Sequence, residues 1–101
     1  MKKVAVIGDP DFNIGFRLVG IKDVYDVTND EELINAVKDV LNRNDIGVVV
    51  IRYDDLKKLP TTLRREIDER VEPTFVAIGG MGRVEELREK IRRAIGVDLW
   101  K

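Results

Sequence analysis

Four aspartates placed after apolar runs are the first candidates for chemistry in this sequence. Asp9 and Asp11 follow the first apolar run of the chain, and Asp54 and Asp55 come shortly after the third. In parallel sheets, ligands bind outside the carboxyl ends of the strands, so these carboxylates could meet at one edge. Carboxylate oxygens are the ligands that Mg²⁺ prefers, and a paired set could also carry acid–base chemistry.

The surroundings of Asp54 weaken this acidic interpretation. Response-regulator receiver domains place an aspartate at the end of the third strand, but here Arg52 and Tyr53 occupy that position. The fourth apolar run ends in Gly79 and Gly80 instead of a hydroxyl side chain, and no fifth strand is predicted.

Two alternatives nevertheless stay open. One is a receiver-like or small nucleotide-binding regulatory domain, and the other is a minor enzyme acting through Asp9, Asp11 and Asp54. We favour a structural role, in which Asp9 and Pro10 form a turn and Asp11 lies near a helix N-terminus, where its charge is favourable.

The glycines do not form a known phosphate-binding motif. Gly8, Gly15 and Gly20 are spaced seven and five residues apart, which fits neither G-x-G-x-x-G nor the P-loop pattern. We expect Gly8 to allow a turn, Gly15 to permit close packing and Gly20 to end a helix. A second group could bind an anion before a helix, but we favour a hinge formed by Gly79, Gly80 and Gly82.

Composition excludes several classes of function. The 101 residues suggest one domain, and histidine, cysteine and serine are all absent, which removes imidazole, thiol and serine-nucleophile chemistry. The net charge of -1 gives no sign of nucleic-acid binding, and no apolar run approaches the ~18 residues of a membrane span. We expect no signal peptide, no cofactor and no metal. Abundant Lys, Arg and Glu without glutamine suggest a protein suited to high temperature.

Apolar runs and helical stripes alternate along the chain. Strands are predicted at 4–7, 24–27, 46–51 and 74–78, and helices at 11–19, from Thr28 to about 42–44, around 56–71 and at 83–95. Such alternation predicts a flavodoxin-like α/β fold of three layers, with a four-stranded parallel sheet in the order 2-1-3-4 and helices on both faces. The predicted parts are a globular α/β domain at 1–78, a glycine-rich hinge at 79–82 and a C-terminal helix and tail at 83–101.

Local signals refine the helix boundaries. Thr28 is predicted to be an N-cap, with Glu31 completing a capping box. Pro60 is predicted to break the third helical stripe and to lie near the first position of its longer piece. That stripe comprises Leu56, Leu59, Leu63, Ile67 and Val71.

Two features are not explained by the domain's own core. The first helix has apolar residues on more than one face, namely Phe12, Ile14, Phe16, Leu18 and Val19. Trp100, the only tryptophan, lies one residue from the C-terminus. The second apolar face of the helix would be exposed or buried by a partner. The tryptophan would be either a clamp onto the domain's own core or an anchor for another protein.

The run GDPDFNIGFRLVGI, from Gly8 to Ile21, resembles the N-terminal signature of the F subunit of the archaeal-type (A-type) and vacuolar-type (V-type) rotary ATPases. That signature reads roughly GD-x-D-x-x-x-GFRL-x-GI, and the resemblance extends over the whole chain. Phe12 departs from it, since many members have threonine or another small residue there.

The resemblance implies a central-stalk rotor protein without catalytic residues, on the cytoplasmic side of the membrane and without direct membrane insertion. It implies docking on the helical hairpin of the D subunit, and contact of the C-terminal region with the nucleotide-binding A and B subunits. The candidate contact residues are Phe12, Phe16, Arg17, Leu18, Leu99 and Trp100. The glycine-rich segment would let the last helix move and modulate the coupling of ATP synthesis or hydrolysis to ion transport, including H⁺ transport.

Overall fold

The apolar run Ile46–Arg52 forms one of the two inner strands of the sheet, and all but its last residue are buried. The computed structural model describes residues 2–79. Its elements are β1 (Lys3–Gly8), α1 (Pro10–Leu18), β2 (Asp23–Asp26), α2 (Asp30–Asn42), β3 (Ile46–Arg52), α3 (Tyr53–Lys57), α4 (Thr61–Glu69) and β4 (Thr74–Ile78). Apart from Gly79, the predicted hinge lies outside the described residues, and so do the predicted helix and tail at 83–101.

The sheet confirms the predicted topology. Its order is β2-β1-β3-β4 and all three pairings are parallel, with Val6 opposite Val50 and Val50 opposite Val76. The sheet order reverses between β1 and β3, so the switch point expected to lie near ligand sites falls between these two strands.

Alternating side chains along the strands build two apolar layers. Ala5 and Ile7 face a core covered by α2, α3 and α4, whereas Val4 and Val6 face a second cluster against which α1 packs. Because β1 and β3 contribute to both clusters, they are buried on both faces and read as continuous apolar runs. The described chain therefore has the predicted three-layer α/β architecture.

The start of α2 differs from the prediction by one residue. Asn29, not Thr28, is the N-cap, and its side chain accepts the backbone N–H of Glu32 at 2.8 Å. The reciprocal carboxylate comes from Glu32 instead of Glu31, and it accepts both the backbone N–H and the hydroxyl of Thr28. Asn and Thr are both good N-caps, so the sequence pattern alone did not decide between adjacent positions.

The interrupted stripe becomes two helices. Pro60 is the N-cap of α4, one position earlier than predicted, and its carbonyl accepts the N–H groups of Leu63 and Arg64. Val71 was predicted to continue the buried stripe, but α4 ends at Glu69 and Val71 is 89% exposed. Val71 does not continue the buried stripe because the helix ends before it.

Candidate functional site

The turn into α1 places this helix tightly against the end of β1. The carboxylate of Asp9 caps α1 by accepting the N–H of Phe12 at 2.7 Å, and Pro10 takes the first helical position. A Cβ on Gly8 would overlap the ring of Phe12 and lie 3.0 Å from Oδ1 of Asn13. Gly8 is therefore required for the close approach of helix and strand, which goes beyond the predicted turn.

A buried asparagine ties α1 to two strands. Asn13 is fully buried, and its Nδ2 donates to the carbonyl oxygens of Gly8 (2.8 Å) and Tyr25 (2.9 Å) and to Oδ1 of Asp26 (2.8 Å). Two hydrogens thus serve three acceptors, while the side-chain oxygen of Asn13 has no partner within the described residues. This polar contact fixes the orientation of the helix on the carboxyl ends of β1 and β2.

The C-terminal end of α1 explains the G-I pair of the signature. Gly20 has a φ of +99°, and its N–H donates to the carbonyl of Arg17, while the N–H of Ile21 donates to that of Phe16. These two bonds form a Schellman cap, in which glycine adopts the left-handed conformation. Gly20 therefore ends the helix as predicted. Gly15 does not pack closely: a Cβ there would meet nothing within 4 Å among the described residues, so that prediction is wrong.

The two phenylalanines of α1 face the sheet. Phe12 and Phe16 are half-buried against the valine cluster, and their ring centroids lie 5.2 Å apart. They belong at least in part to the domain's own core. Their predicted contact with a partner stays a prediction, restricted to their exposed edges.

The outer side of α1 and its C-cap residue together carry an apolar surface that the described residues do not cover. Leu18 is 82% exposed, Ile14 60% and Val19 45%, and we call these three residues the α1 ridge. Beside it, Arg17 binds Asp26 at 3.0 Å. The hydrogen bond from Arg17, followed by that from Asn13, lowers the pKa of the Asp26 carboxyl. The ridge thus combines apolar side chains with an ion pair that anchors it to β2.

The aspartates proposed for chemistry are mostly paired with cations. Asp9 binds Arg52 at 2.6 Å, and Asp54 and Asp55 lie 3.6 and 3.7 Å from Lys57 and Lys58. Asp9 and Asp55 do line a common cavity of about 200 Å³ at the carboxyl edge, together with Arg52 and Lys58. Asp11 lies apart, in the first turn of α1. Within residues 2–79, no three His, Cys, Asp or Glu side chains are grouped so that they could bind a metal ion.

None of the described helices combines the length and the apolar character needed to cross a membrane. Leu99 and Trp100, as well as Gly80 and Gly82, lie outside the described residues. At Gly79, a Cβ would make ordinary van der Waals contact with Tyr53, so this position tolerates a side chain.

Sequence comparisons give a consistent family. Residues 4–95 match the family model described as ATP synthase (F/14-kDa) subunit. A relative from Archaeoglobus fulgidus, named as the F subunit of an A-type ATP synthase, is 70% identical over 101 residues, and the match covers all of both chains. One of the same name from Methanocella arvoryzae is 48% identical over 99 residues, covering 98% of this chain and 99% of the relative.

Solved structures agree with this result. The crystal structure of the V-type ATP synthase F subunit from Archaeoglobus fulgidus superposes with a TM-score of 0.75 at 63% identity. The match covers 77% of this chain and 98% of that one.

Proposed function

Because the chain belongs to the ATP synthase (F/14-kDa) subunit family, we propose that it is a non-catalytic central-stalk component of an A-type or V-type ATP synthase. In this role it turns with the rotor and couples ATP synthesis or hydrolysis to ion transport. The proposed location is the cytoplasmic side of the membrane, as a peripheral part of the complex.

The observation that carries this proposal is the α1 ridge. Ile14 and Leu18 expose apolar side chains on α1, and Val19 does so at its C-cap; the position of this helix is fixed by Asn13 and by the caps at both ends. A rigid apolar surface with a charged neighbour is typical of an anchor for a protein partner. We infer that the ridge docks on the helical hairpin of the D subunit, with Arg17 at its rim.

A non-catalytic role is also supported by the side chains that are available. The sequence contains no histidine, cysteine or serine. The carboxylates of Asp9 and Asp55 at the carboxyl edge are paired with Arg52 and Lys58. We therefore expect no saturable binding of ATP at micromolar concentration when the isolated chain is titrated with Mg-ATP. Saturable binding would instead support the nucleotide-binding alternative.

Binding to the D subunit tests the docking surface. Leu18→Asp should weaken binding by at least tenfold, since truncating or charging a buried anchor typically costs ~2 kcal/mol or more. Val71→Asp is the matched control, because Val71 is also apolar and highly exposed, but lies after α4. Affinities can be measured by calorimetry on full-length variants. Equal affinities for both variants would remove the α1 ridge from the interface.

Phe16 needs two measurements because it faces the sheet. Phe16→Ala should lower the free energy of unfolding by ~2 kcal/mol, since its ring is only partly buried in the valine cluster. A loss of affinity for the D subunit that exceeds this loss of stability would indicate direct contact through the exposed edge.

We further propose that the C-terminal region, residues 83–101, contacts the A and B subunits and modulates activity. The support is sequence-based: glycines at 79, 80 and 82 give backbone freedom, and Leu99 and Trp100 are apolar anchors next to the C-terminus. Deleting residues 99–101 should leave the fold intact, by circular dichroism, yet change the ATPase rate of the reconstituted complex. An unchanged rate would rule out a regulatory contact of this tail.

A further inference from the structure

We propose that the outer edge of β2 and the adjacent face of α2 form a docking groove for an extended, basic segment of a partner protein. The segment would add to the sheet as a strand beside β2. This groove is separate from the α1 ridge, so it defines a second interaction surface whose test does not depend on the stalk assignment.

The first observation is the position of β2 in the sheet. Within residues 2–79, β2 pairs with β1 alone, in the register Ala5–Asp23 to Gly8–Asp26, and forms one edge of the sheet. Unpaired strand edges are templates for an added strand, because their backbone groups can continue the hydrogen-bond ladder.

The direction of the backbone groups is fixed by a contact beyond the strand. The N–H of Val27 donates to the carbonyl oxygen of Gly8 at 2.9 Å, so Val27 directs its backbone groups toward β1. Because the direction alternates along a strand, Tyr25 points the same way and Asp26 points outward. The N–H and C=O of Asp26 therefore face the outer edge, where a partner strand would bind them.

The second observation is a shallow groove beside this edge. It has a volume of about 480 Å³ and is lined by residues 24–27 of the strand side and by Glu32, Asn35, Ala36 and Asp39 of α2. Ala36 is buried, and its small side chain leaves room between the helix and the strand. The groove can thus receive the side chains that a partner strand directs toward α2.

The third observation is the charge of the groove. Two carboxylates of α2 line it, those of Glu32 and Asp39, and no lysine or arginine side chain does so among the described residues. Asp26 lines the groove as well, but its carboxylate lies on the α1 side of the sheet, where it binds Asn13 and Arg17.

Thr28 donates two hydrogen bonds to Glu32, which lower the pKa of that carboxyl. Asp39 accepts the hydroxyl of Tyr25, which itself accepts a hydrogen bond from Arg43. The groove therefore favours lysine or arginine side chains.

The same charges argue against a second copy of this chain as the occupant. Pairing two β2 edges around a two-fold axis would bring the acidic groove of one copy next to that of the other, and like charges brought together across an interface are unfavourable. An extended segment with basic residues at alternate positions could pair with the free backbone groups of β2 and also bind the carboxylates of the groove.

Peptide binding to the full-length chain tests the groove. The probe is a fluorescein-labelled nine-residue peptide that alternates lysine with valine or threonine, and the matched control replaces every lysine by glutamate. We expect the basic peptide to bind at least about tenfold more tightly, measured by fluorescence anisotropy. No saturable binding up to about 1 mM, or equal binding of both peptides, would overturn the proposal.

Two variant pairs separate charge from backbone pairing. Asn35 is exposed in the groove, so Asn35→Lys should weaken binding of the basic peptide and Asn35→Glu should strengthen it. Asp26→Pro removes both the carboxylate and the outward N–H, whereas Asp26→Ala removes only the carboxylate. The proline variant should therefore bind the basic peptide at least about fivefold more weakly than the alanine variant.

Three results would contradict the proposal. Equal binding by the two Asp26 variants would exclude strand addition at this edge. If Asn35→Lys and Asn35→Glu did not change peptide binding in opposite directions, recognition by charge would be excluded. Concentration-dependent dimerisation abolished by Asp26→Pro would assign the edge to a second copy. Circular dichroism checks that each variant is folded, and the Asn35 pair keeps the test valid if Asp26→Pro fails to fold.

Discussion

The contacts of Asn13 predict that its two closest substitutions affect stability in a definite order. Its Nδ2 faces three acceptors, of which one is the Asp26 carboxylate, and the side chain is fully buried. Asn13→Ala removes one hydrogen bond to a charged group, worth about 1.5–3 kcal/mol, and one shared between two carbonyls, worth about 1 kcal/mol. The free energy of unfolding should therefore fall by ~2.5–4 kcal/mol.

Asn13→Asp should be worse than Asn13→Ala, although it conserves the shape. It directs a carboxylate oxygen at two carbonyl oxygens and at Asp26, and an unpaired buried charge typically costs ~3–5 kcal/mol. The new carboxyl should have a raised pKa in the folded state, because burial and Asp26 both disfavour its charged form. Stability relative to Asn13→Ala should then be best below pH ~4 and should be lost as the pH rises toward 7.

Urea denaturation of the two variants and the unchanged chain, at pH 4 and pH 7, measures these differences. The expected losses are a substantial fraction of a typical total stability of ~5–15 kcal/mol. A loss below ~1 kcal/mol for Asn13→Ala would show that the three acceptors find other partners. If Asn13→Asp were as stable as Asn13→Ala at pH 7, Oδ1 instead of Nδ2 would face the strands, and our account of how α1 is anchored would fail.

Three further predictions concern glycine, pH and temperature. Gly15→Ala should stabilise the protein by ~0.5–1 kcal/mol, because Gly15 lies in a helix and a Cβ there would meet open space. Gly20→Ala should destabilise the protein, because Gly20 has a φ of +99°. Urea midpoints that shift in the same direction for both variants would refute this contrast. The hydrogen bond from Arg43 lowers the pKa of Asp45 to about 2 from an ordinary value of 3.8, so its contribution is present above pH ~4 and is lost as the pH falls toward 2. Asp45→Asn should flatten the decline of stability across that window, and an unchanged acid profile would contradict it. Calorimetry should give a melting midpoint above ~65 °C, and a lower value would sink the high-temperature hypothesis.

The arrangement of strands was predictable because it follows from local apolar patterns. The buried run at 46–51 predicted the central strand, β4 has the predicted limits, and alternation with helices predicted the order 2-1-3-4. The resemblance carried by residues 8–21 predicted the family that the comparisons show. Each of these signals is carried by neighbouring residues or by helical and strand periods, which a sequence displays directly.

The candidate site depended on tertiary structure. Apolar residues on several faces of α1 did not indicate which would face the sheet, and packing placed Phe12 and Phe16 inward and Leu18 outward. Asn13 was missed because its acceptors come from β1 and β2, up to 13 residues away, and a single polar residue in a short helix looks solvent-exposed by pattern. Local periodicity determines which elements form. The packing of α1 against the sheet, which the crossover from β1 to β2 imposes, determines which of its side chains stay exposed and available to a partner.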